Sequence, residues 1–355
     1  MNLDDIVAMH KLDPSNILAE IDDLPDQVER AWTQVQKLPL PAFSGLTNIV
    51  ISAMGTPGNA ADLLACYAAE HSSLPVIVHH DYGLPAFANG AGTLLIASDH
   101  SGNSEETLDS FHQASLRGCT IMVISTGGRL AEKASVAGHP VWRFSHGGQP
   151  RTALGFSFMY LLAVFTRLNL LPPQDENVSG AIAAMKTQQE NIRAAVAAVN
   201  NPAKRYAGQM VGRWVTIFGS GLLAAVARRW KSQINELAKA PANTEFLPDA
   251  NHNSLAGIIN PSDEVLVPHT LTLFLCTAFD HPRNSLRANI TRQVFMIEGL
   301  NTDFYLAQGS SSLAQMWTTI HFGDYMAYYL AIAYGIDPEP VDAIDSLKST
   351  LSAHP

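Results

Sequence analysis

Short runs of β-branched and apolar residues punctuate the first half of the chain: NIVISA (48–53), PVIVHH (75–80), TLLIAS (93–98), TIMVIS (120–125) and PVWRF (140–144). Stretches of helical length and spacing separate them, the alternation expected of a parallel sheet covered by helices. A break rich in prolines and turn formers, NLLPPQDENVSG (169–180), leads through a polar, Ala-rich helical pattern into a second series. That series contains WVTIFG (214–219), TEFLP (244–248), LTLFLCTAF (271–279), RQVFMIE (292–298) and DFYLA (303–307), each read as a strand. The two series open alike, NIVISAMGTPGNAADLL and WVTIFGSGLLAAVARRW both reading strand, Gly-containing turn, helix. The pattern predicts a duplicated, doubly wound α/β fold, in which ligands sit at the carboxyl ends of the strands.

Two further windows, FMYLLAVF (158–165) and YMAYYLAIAYGI (325–336), are strongly apolar but too short to cross a bilayer, and read as buried helices. A chain of 355 residues exceeds what one core usually serves, so two domains are expected. The division falls in the proline-rich break. Residues 1–172 form an N-terminal domain with a helical extension at its start, and residues 173–355 a C-terminal domain ending in helices.

Composition narrows the class further. A hydrophobic fraction of 47% with 15% charged residues describes a globular protein with ample core. The net charge of -10 argues against nucleic acid as a partner, and no Lys/Arg run marks a membrane surface. The start, MNLDDIVAMHKLDPSN, carries acids where a signal peptide carries bases, which points to the cytoplasm. Cys66, Cys119 and Cys276 are far apart and without CxxC spacing, and read as core thiols.

The chemistry concentrates in TLLIASDHSGNSEETL (93–108), where a buried strand runs into Ser101, Gly102, Asn103, Ser104 and Thr107. Two readings stand side by side. Asn103 followed three residues later by Glu106 fits a capping box, which would satisfy free amides of the next helix. The same free amides, the helix dipole and the hydroxyls of Ser101, Ser104 and Thr107 would also cradle a phosphate dianion without any Lys or Arg.

Several motifs then accumulate in one order. SGNSEETL resembles the sugar-phosphate loop SGNTEET of SIS (sugar isomerase) domains. PRTALGFSF (150–158) is similar to the PRAALGYSF segment of the bifunctional phosphoglucose/phosphomannose isomerases. RRWKSQINELAKAPA (228–242), NHNSLAG (251–257) and GIDPEPVDAIDSLK (335–348) resemble that family's RWKTQINENAKxPA, NHNEIVG and GIDPTPVxxIxxLK. The resemblance spans nearly the whole chain and implies an α/β protein of two doubly wound parallel-sheet SIS domains in tandem, each a flavodoxin-like three-layer αβα unit.

The resemblance also implies a reaction, the interconversion of glucose 6-phosphate or mannose 6-phosphate with fructose 6-phosphate through a cis-enediol, with no cofactor and no metal. Its base falls on Glu236, its ring-opening histidine, supplied across a dimer interface, on His252, and its last-helix lysine on Lys348. Its arginine falls on Arg151, and its phosphate loop on Ser101, Gly102, Asn103, Ser104 and Thr107. Such chemistry suits these residue types. One carboxylate can carry a proton between neighbouring carbons, and a permanently charged guanidinium can stabilise the enediolate.

The chain departs from the family at its first Gly loop, where AMGTPGNAADLL stands for GMGGSAISGD. Gly55 remains, Thr56 still offers a hydroxyl to the substrate, and Pro57 removes a backbone donor. RDYxLP has become HHDYGLP, replacing a positive charge by His80, and Glu339 takes the place of a threonine. These changes keep open an alternative, a phosphosugar-binding protein with altered substrate or lost catalysis. A nucleotide-dependent oxidoreductase fits less well, because GTPGNAA offers GxxG rather than GxGxxG. A metal hydrolase fits least, since His79, His80 and Asp81 are adjacent and alternate faces of a strand.

Overall fold

The structure is a computed structural model that describes residues 2–261 and 263–354. Helices α1 (Ile6–Leu12), α2 (Ile17–Asp22) and α3 (Leu24–Val35) precede the first sheet. There β1 (Asn48–Ser52), α4 (Gly55–Ala68), β2 (Val76–His79), β3 (Thr93–Asp99), α5 (Glu105–Leu116), β4 (Thr120–Ser125), α6 (Gly128–Val136) and β5 (Val141–Arg143) follow one another. The strands pair in parallel in the order β2-β1-β3-β4-β5. Helices α7 (Leu154–Arg167), α8 (Asp175–Ile192) and α9 (Pro202–Met210) lead to the second sheet. Its elements are β6 (Trp214–Gly219), α10 (Ala224–Ala238), β7 (Ala242–Phe246), α11 (Asp263–His269), β8 (Thr270–Cys276), α12 (Pro282–Ile297) and β9 (Thr302–Leu306). Helices α13 (Ser312–Tyr334) and α14 (Asp342–Ser352) close the chain. The second sheet, β7-β6-β8-β9, is also all parallel and repeats the order of the first without its last strand.

The unbroken apolar run of TLLIAS follows from position: every residue of β3 is buried, as expected of an inner strand covered on both faces. RQVFMIE, in contrast, is no strand but the last turns of α12. Pro282 opens that helix at a position that needs no amide donor, and His281 caps it. Ala288, Thr291 and Phe295 then fall on one buried stripe at spacings of three and four, leaving Met296 and Ile297 exposed. The proline-rich break is also shorter than its composition suggests, because its second half is the first turns of α8. Of the three thiols only Cys119 is fully buried; Cys66 and Cys276 are half-buried.

The apolar windows 158–165 and 325–336 lie in α7 and α13, both buried almost throughout. No helix among the described residues is long and apolar enough to cross a membrane. Helix α13 packs against α10, α8 and α9, α7 packs against α3 and α4, and α4 meets α10. One continuous hydrophobic core therefore includes residues of both sheets. At its centre the Trp230 indole on α10 donates to the Thr319 carbonyl of α13 at 2.8 Å and lies over Gly323. A β-carbon on Gly323 would stand 2.1 Å from the indole nitrogen.

Gly323→Ala should therefore destabilise the protein by about 1–3 kcal/mol, although alanine is the better helix former. Urea denaturation checks this, and a more stable variant would mean that the two helices are not in van der Waals contact there.

Candidate active site

In each sheet the strand order reverses beside the first strand, between β1 and β3 and again between β6 and β8. Loops leaving the carboxyl ends of two such strands diverge and open a crevice. In the first sheet these are the turn Met54–Thr56 and the loop Ser101–Ser104.

The second loop is built against a neighbour. Gly102 adopts a left-handed backbone (φ 69°), and a β-carbon there would lie 1.9 Å from the Gly127 carbonyl oxygen. Gly128 faces Ser101 as closely from the other side, with a β-carbon placed 2.2 Å from its carbonyl oxygen. The Leu130 amide donates to Gly102 at 2.9 Å, the Thr126 hydroxyl to His100 at 2.6 Å, and the Arg129 amide to the Asn103 side chain at 3.3 Å. The segment STGGRL after β4 is thus the brace of the 101–104 loop, a role its paired glycines signal in the sequence.

The capping box is not formed. Ser104, not Asn103, holds the N-cap position of α5, without a side-chain capping bond, and Asn103 turns back to donate to the Ser101 carbonyl at 3.1 Å. The free hydroxyls and amide of the loop instead converge on Asp99, the last residue of β3. Glu105 and Glu106 stay on the outer side of the first turn, where Tyr82 donates to Glu105 at 3.2 Å.

At the β1 turn, Gly55 has φ 57° and opens α4, with Thr56 buried in its first turn. Pro57 stands where the helix has no use for its amide, so it fits the fold while withdrawing one potential ligand donor. His80 braces this turn. Its Nδ1 is 2.8 Å from the Ala53 carbonyl and its Nε2 is 3.2 Å from Asp62, which also accepts from Arg228 at 3.0 Å. The hydrogen bond to Asp62 raises the His80 pKa despite partial burial. Burial works to raise the Asp62 pKa, but His80 and Arg228 outweigh it and hold the carboxyl below its usual range.

The two halves of the chain meet at Arg151 and Glu236. Arg151 follows β5 in a short turn at 150–152 and is 5% exposed, while Glu236 lies near the end of α10 with 27% of its side chain accessible. The guanidinium Nε is 3.8 Å from the carboxylate. Arg229, earlier on the same helix as Glu236, fixes this approach. It donates from Nη2 to the Arg151 carbonyl at 3.0 Å and from Nε and Nη2 to Asp324 on α13 at 3.2 and 2.9 Å. Arg151 and Lys239 together grip the turn between α13 and α14. Arg151 donates to the carbonyls of Pro338 and Glu339, and Lys239 to those of Leu237, Asp337 and Pro338. Burial of its ammonium, and then the charge of Arg151, lower the Lys239 pKa. Glu339 accepts from the Gln149 side chain. A cavity of about 490 Å³ opens beside Glu236, lined also by Asn235, Lys239, Pro241, Val341 and Ile344, a volume in the range of small-molecule sites. The 101–104 loop is not part of its lining.

Within one chain the remaining two candidates stand apart. His252 is exposed in a short turn at 249–252, without a side-chain hydrogen bond or ion pair among the described residues, and Lys348 is exposed on α14, one turn beyond the residues that line the cavity. Sequence reasoning missed Asp99, Lys239, the 126–129 brace and the Arg229–Asp324 pair. Among the described residues, no three His, Cys, Asp or Glu side chains gather as metal ligands would.

Comparison with known proteins places this geometry among relatives. A family profile described as the bacterial phospho-glucose isomerase C-terminal SIS domain matches residues 199–351. The chain is 36% identical to the bifunctional phosphoglucose/phosphomannose isomerase of Caldicellulosiruptor bescii, covering 93% of this chain and 97% of that one. It is 33% identical to the protein of the same name from Thermoplasma acidophilum, over 86% and 90% of the two chains. A glucose-6-phosphate isomerase like protein from Thermus thermophilus shares the fold with a TM-score of 0.64 at 18% identity, over 98% and 99% of the two chains.

Breaking the buried pair by Asp324→Asn should cost about 3–5 kcal/mol in urea denaturation, because it strands the Arg229 charge. Replacing both partners, Arg229→Met with Asp324→Leu, should recover most of that stability yet leave Arg151 unanchored. A double variant as unstable as the single one would contradict this account of the pair.

Proposed function

The chain belongs to the bifunctional phosphoglucose/phosphomannose isomerase family, and on that premise we propose that it interconverts glucose 6-phosphate and mannose 6-phosphate with fructose 6-phosphate through a cis-enediol. The observation that carries this reading is the pairing of a half-buried carboxylate, Glu236, with a buried guanidinium, Arg151, drawn from opposite halves of the chain.

Glu236 removes the proton from carbon 2 of the open-chain aldose and returns it to carbon 1, while the hydroxyl proton at carbon 2 moves to the oxygen at carbon 1 and the oxygen at carbon 2 becomes the carbonyl. Arg151 faces the enediolate oxygens, where its fixed charge stabilises the negative charge that develops. Ser101, Gly102, Asn103, Ser104 and Thr107 receive the phosphate, and Gly55 and Thr56 line the rim of the crevice. Ring opening falls to His252. Its exposure on the turn at 249–252 supports its delivery to the site of a second protomer in a homodimer. Lys348, equally exposed on α14, helps to draw in the dianion. The domain division after residue 172 belongs to the same reading, with α7 packed on α3 and α4 and α8 packed on α13. The enzyme works in the cytoplasm and needs no cofactor.

Proton NMR of fructose 6-phosphate with the purified protein in heavy water tests the reaction. Glucose 6-phosphate and mannose 6-phosphate should appear with deuterium at carbon 2, and Glu236→Gln should slow their formation by about 10²–10⁴-fold. Absence of both products and of exchange at carbon 1 would refute it.

The dimer has its own test, in mixing Glu236→Gln with His252→Ala after unfolding and refolding together. If each site draws on two protomers, random pairing makes about half of the dimers mixed, each with one intact site, and restores about a quarter of the wild-type rate. No recovery would place both residues in one protomer's site.

A further inference from the structure

The loop assigned to the substrate's phosphate already holds an anion of the chain's own. Asp99 is 5% exposed, and both of its oxygens are engaged by that loop. Its Oδ2 accepts from the Ser104 amide at 2.8 Å, and its Oδ1 accepts from the Ser104 hydroxyl at 3.0 Å and the Ser101 hydroxyl at 3.4 Å. Among the described residues no Lys or Arg forms an ion pair with it. A buried carboxylate needs compensation, and here the amide, two hydroxyls and the positive end of α5 supply it. Those are the groups a phosphate bound at this helix would use.

We propose that Asp99 is an internal competitor for the substrate's phosphate and so sets how tightly this chain holds phosphosugars, an inference that rests on the phosphosugar reading above. A dianion and a carboxylate cannot share the same donors at hydrogen-bond distance without strong repulsion. Entry of the phosphate therefore displaces Asp99 from Ser101 and Ser104. One donor on the same turn is left free: the Thr107 hydroxyl is fully buried and has no hydrogen-bond partner. It is a group a guest anion can engage without contest from Asp99. The consequence is specific. Removal of the Asp99 charge raises affinity for phosphate, whereas removal of an ordinary scaffold contact would loosen the loop and lower it.

The test uses the full chain carrying Asp99→Asn, close in shape and still able to accept from the Ser104 amide, with Asp99→Ser as a second variant. Calorimetric titration with inorganic phosphate should show affinity higher by about tenfold or more than in the wild type. KM for fructose 6-phosphate should fall in parallel while kcat changes little. Phosphate binding is read without turnover, so a chain that fails to isomerise but gains phosphate affinity supports the competitor and counts only against the isomerase. Unchanged or weaker phosphate binding in the folded variants overturns the proposal. Failure of both variants to fold overturns it as well, since Asp99 would then be a scaffold residue.

Discussion

A guanidinium buried among two helices and a turn holds the two halves of this protein in register. Arg229 on α10 reaches Asp324 on α13 with two nitrogens and the Arg151 carbonyl with one, at 1% exposure. The pair is expensive to bury and would be matched in stability by apolar residues of the same shape. What apolar residues could not do is fix the direction of a backbone carbonyl, and Arg151 is the residue that stands beside Glu236. The surrounding packing agrees with this constraint. Trp230, the next residue on α10, is seated on Gly323, the residue before Asp324, so helix crossing and ion pair lock one another.

From that joint the remaining parts are arranged in order of distance. Arg151 and Lys239 hold the 337–339 turn, and through it the start of α14 beside the cavity. Helix α4 bridges α10 to the crevice between β1 and β3, whose 101–104 loop is braced by the glycine-bearing loop after β4. The anion loop itself is a compromise between fold and function. Donors in a half-buried turn need partners, and the chain supplies Asp99 to the Ser101 hydroxyl and to the amide and hydroxyl of Ser104.

Much of this was legible in the sequence because burial imposes simple patterns. Strands β1, β3, β4, β6 and β8 are covered on both faces, so their apolar runs are continuous and bounded by turn formers. RQVFMIE misled because its β-rich composition is outweighed by a register set ten residues earlier at Pro282, which only the whole helix reveals. Asn103 and Glu106 have the spacing of a capping box, but the helix starts one residue later, with Ser104 at the N-cap position, and Asp99, five residues before it, accepts from the Ser104 amide. Such a contact comes from the end of a strand, outside any helix-based window. Arg151 and Glu236, which the motifs single out far apart in the chain, lie 3.8 Å from one another, one in the short turn after β5 and the other on α10. His252 and Lys348 lie exposed on surface elements, where no burial pattern constrains the residue type.

On the proposed function, one substrate should engage the 101–107 loop at its phosphate and the Glu236–Arg151 pair at its carbons. A crystal structure with 5-phospho-D-arabinonate, an acid phosphate shaped like the enediolate, tests it most directly. The phosphate should lie on Ser101, Ser104 and Thr107 with Asp99 turned away, and the ligand's carboxylate between Glu236 and Arg151. A ligand bound elsewhere, or one whose phosphate leaves Asp99 seated on Ser104, would contradict it.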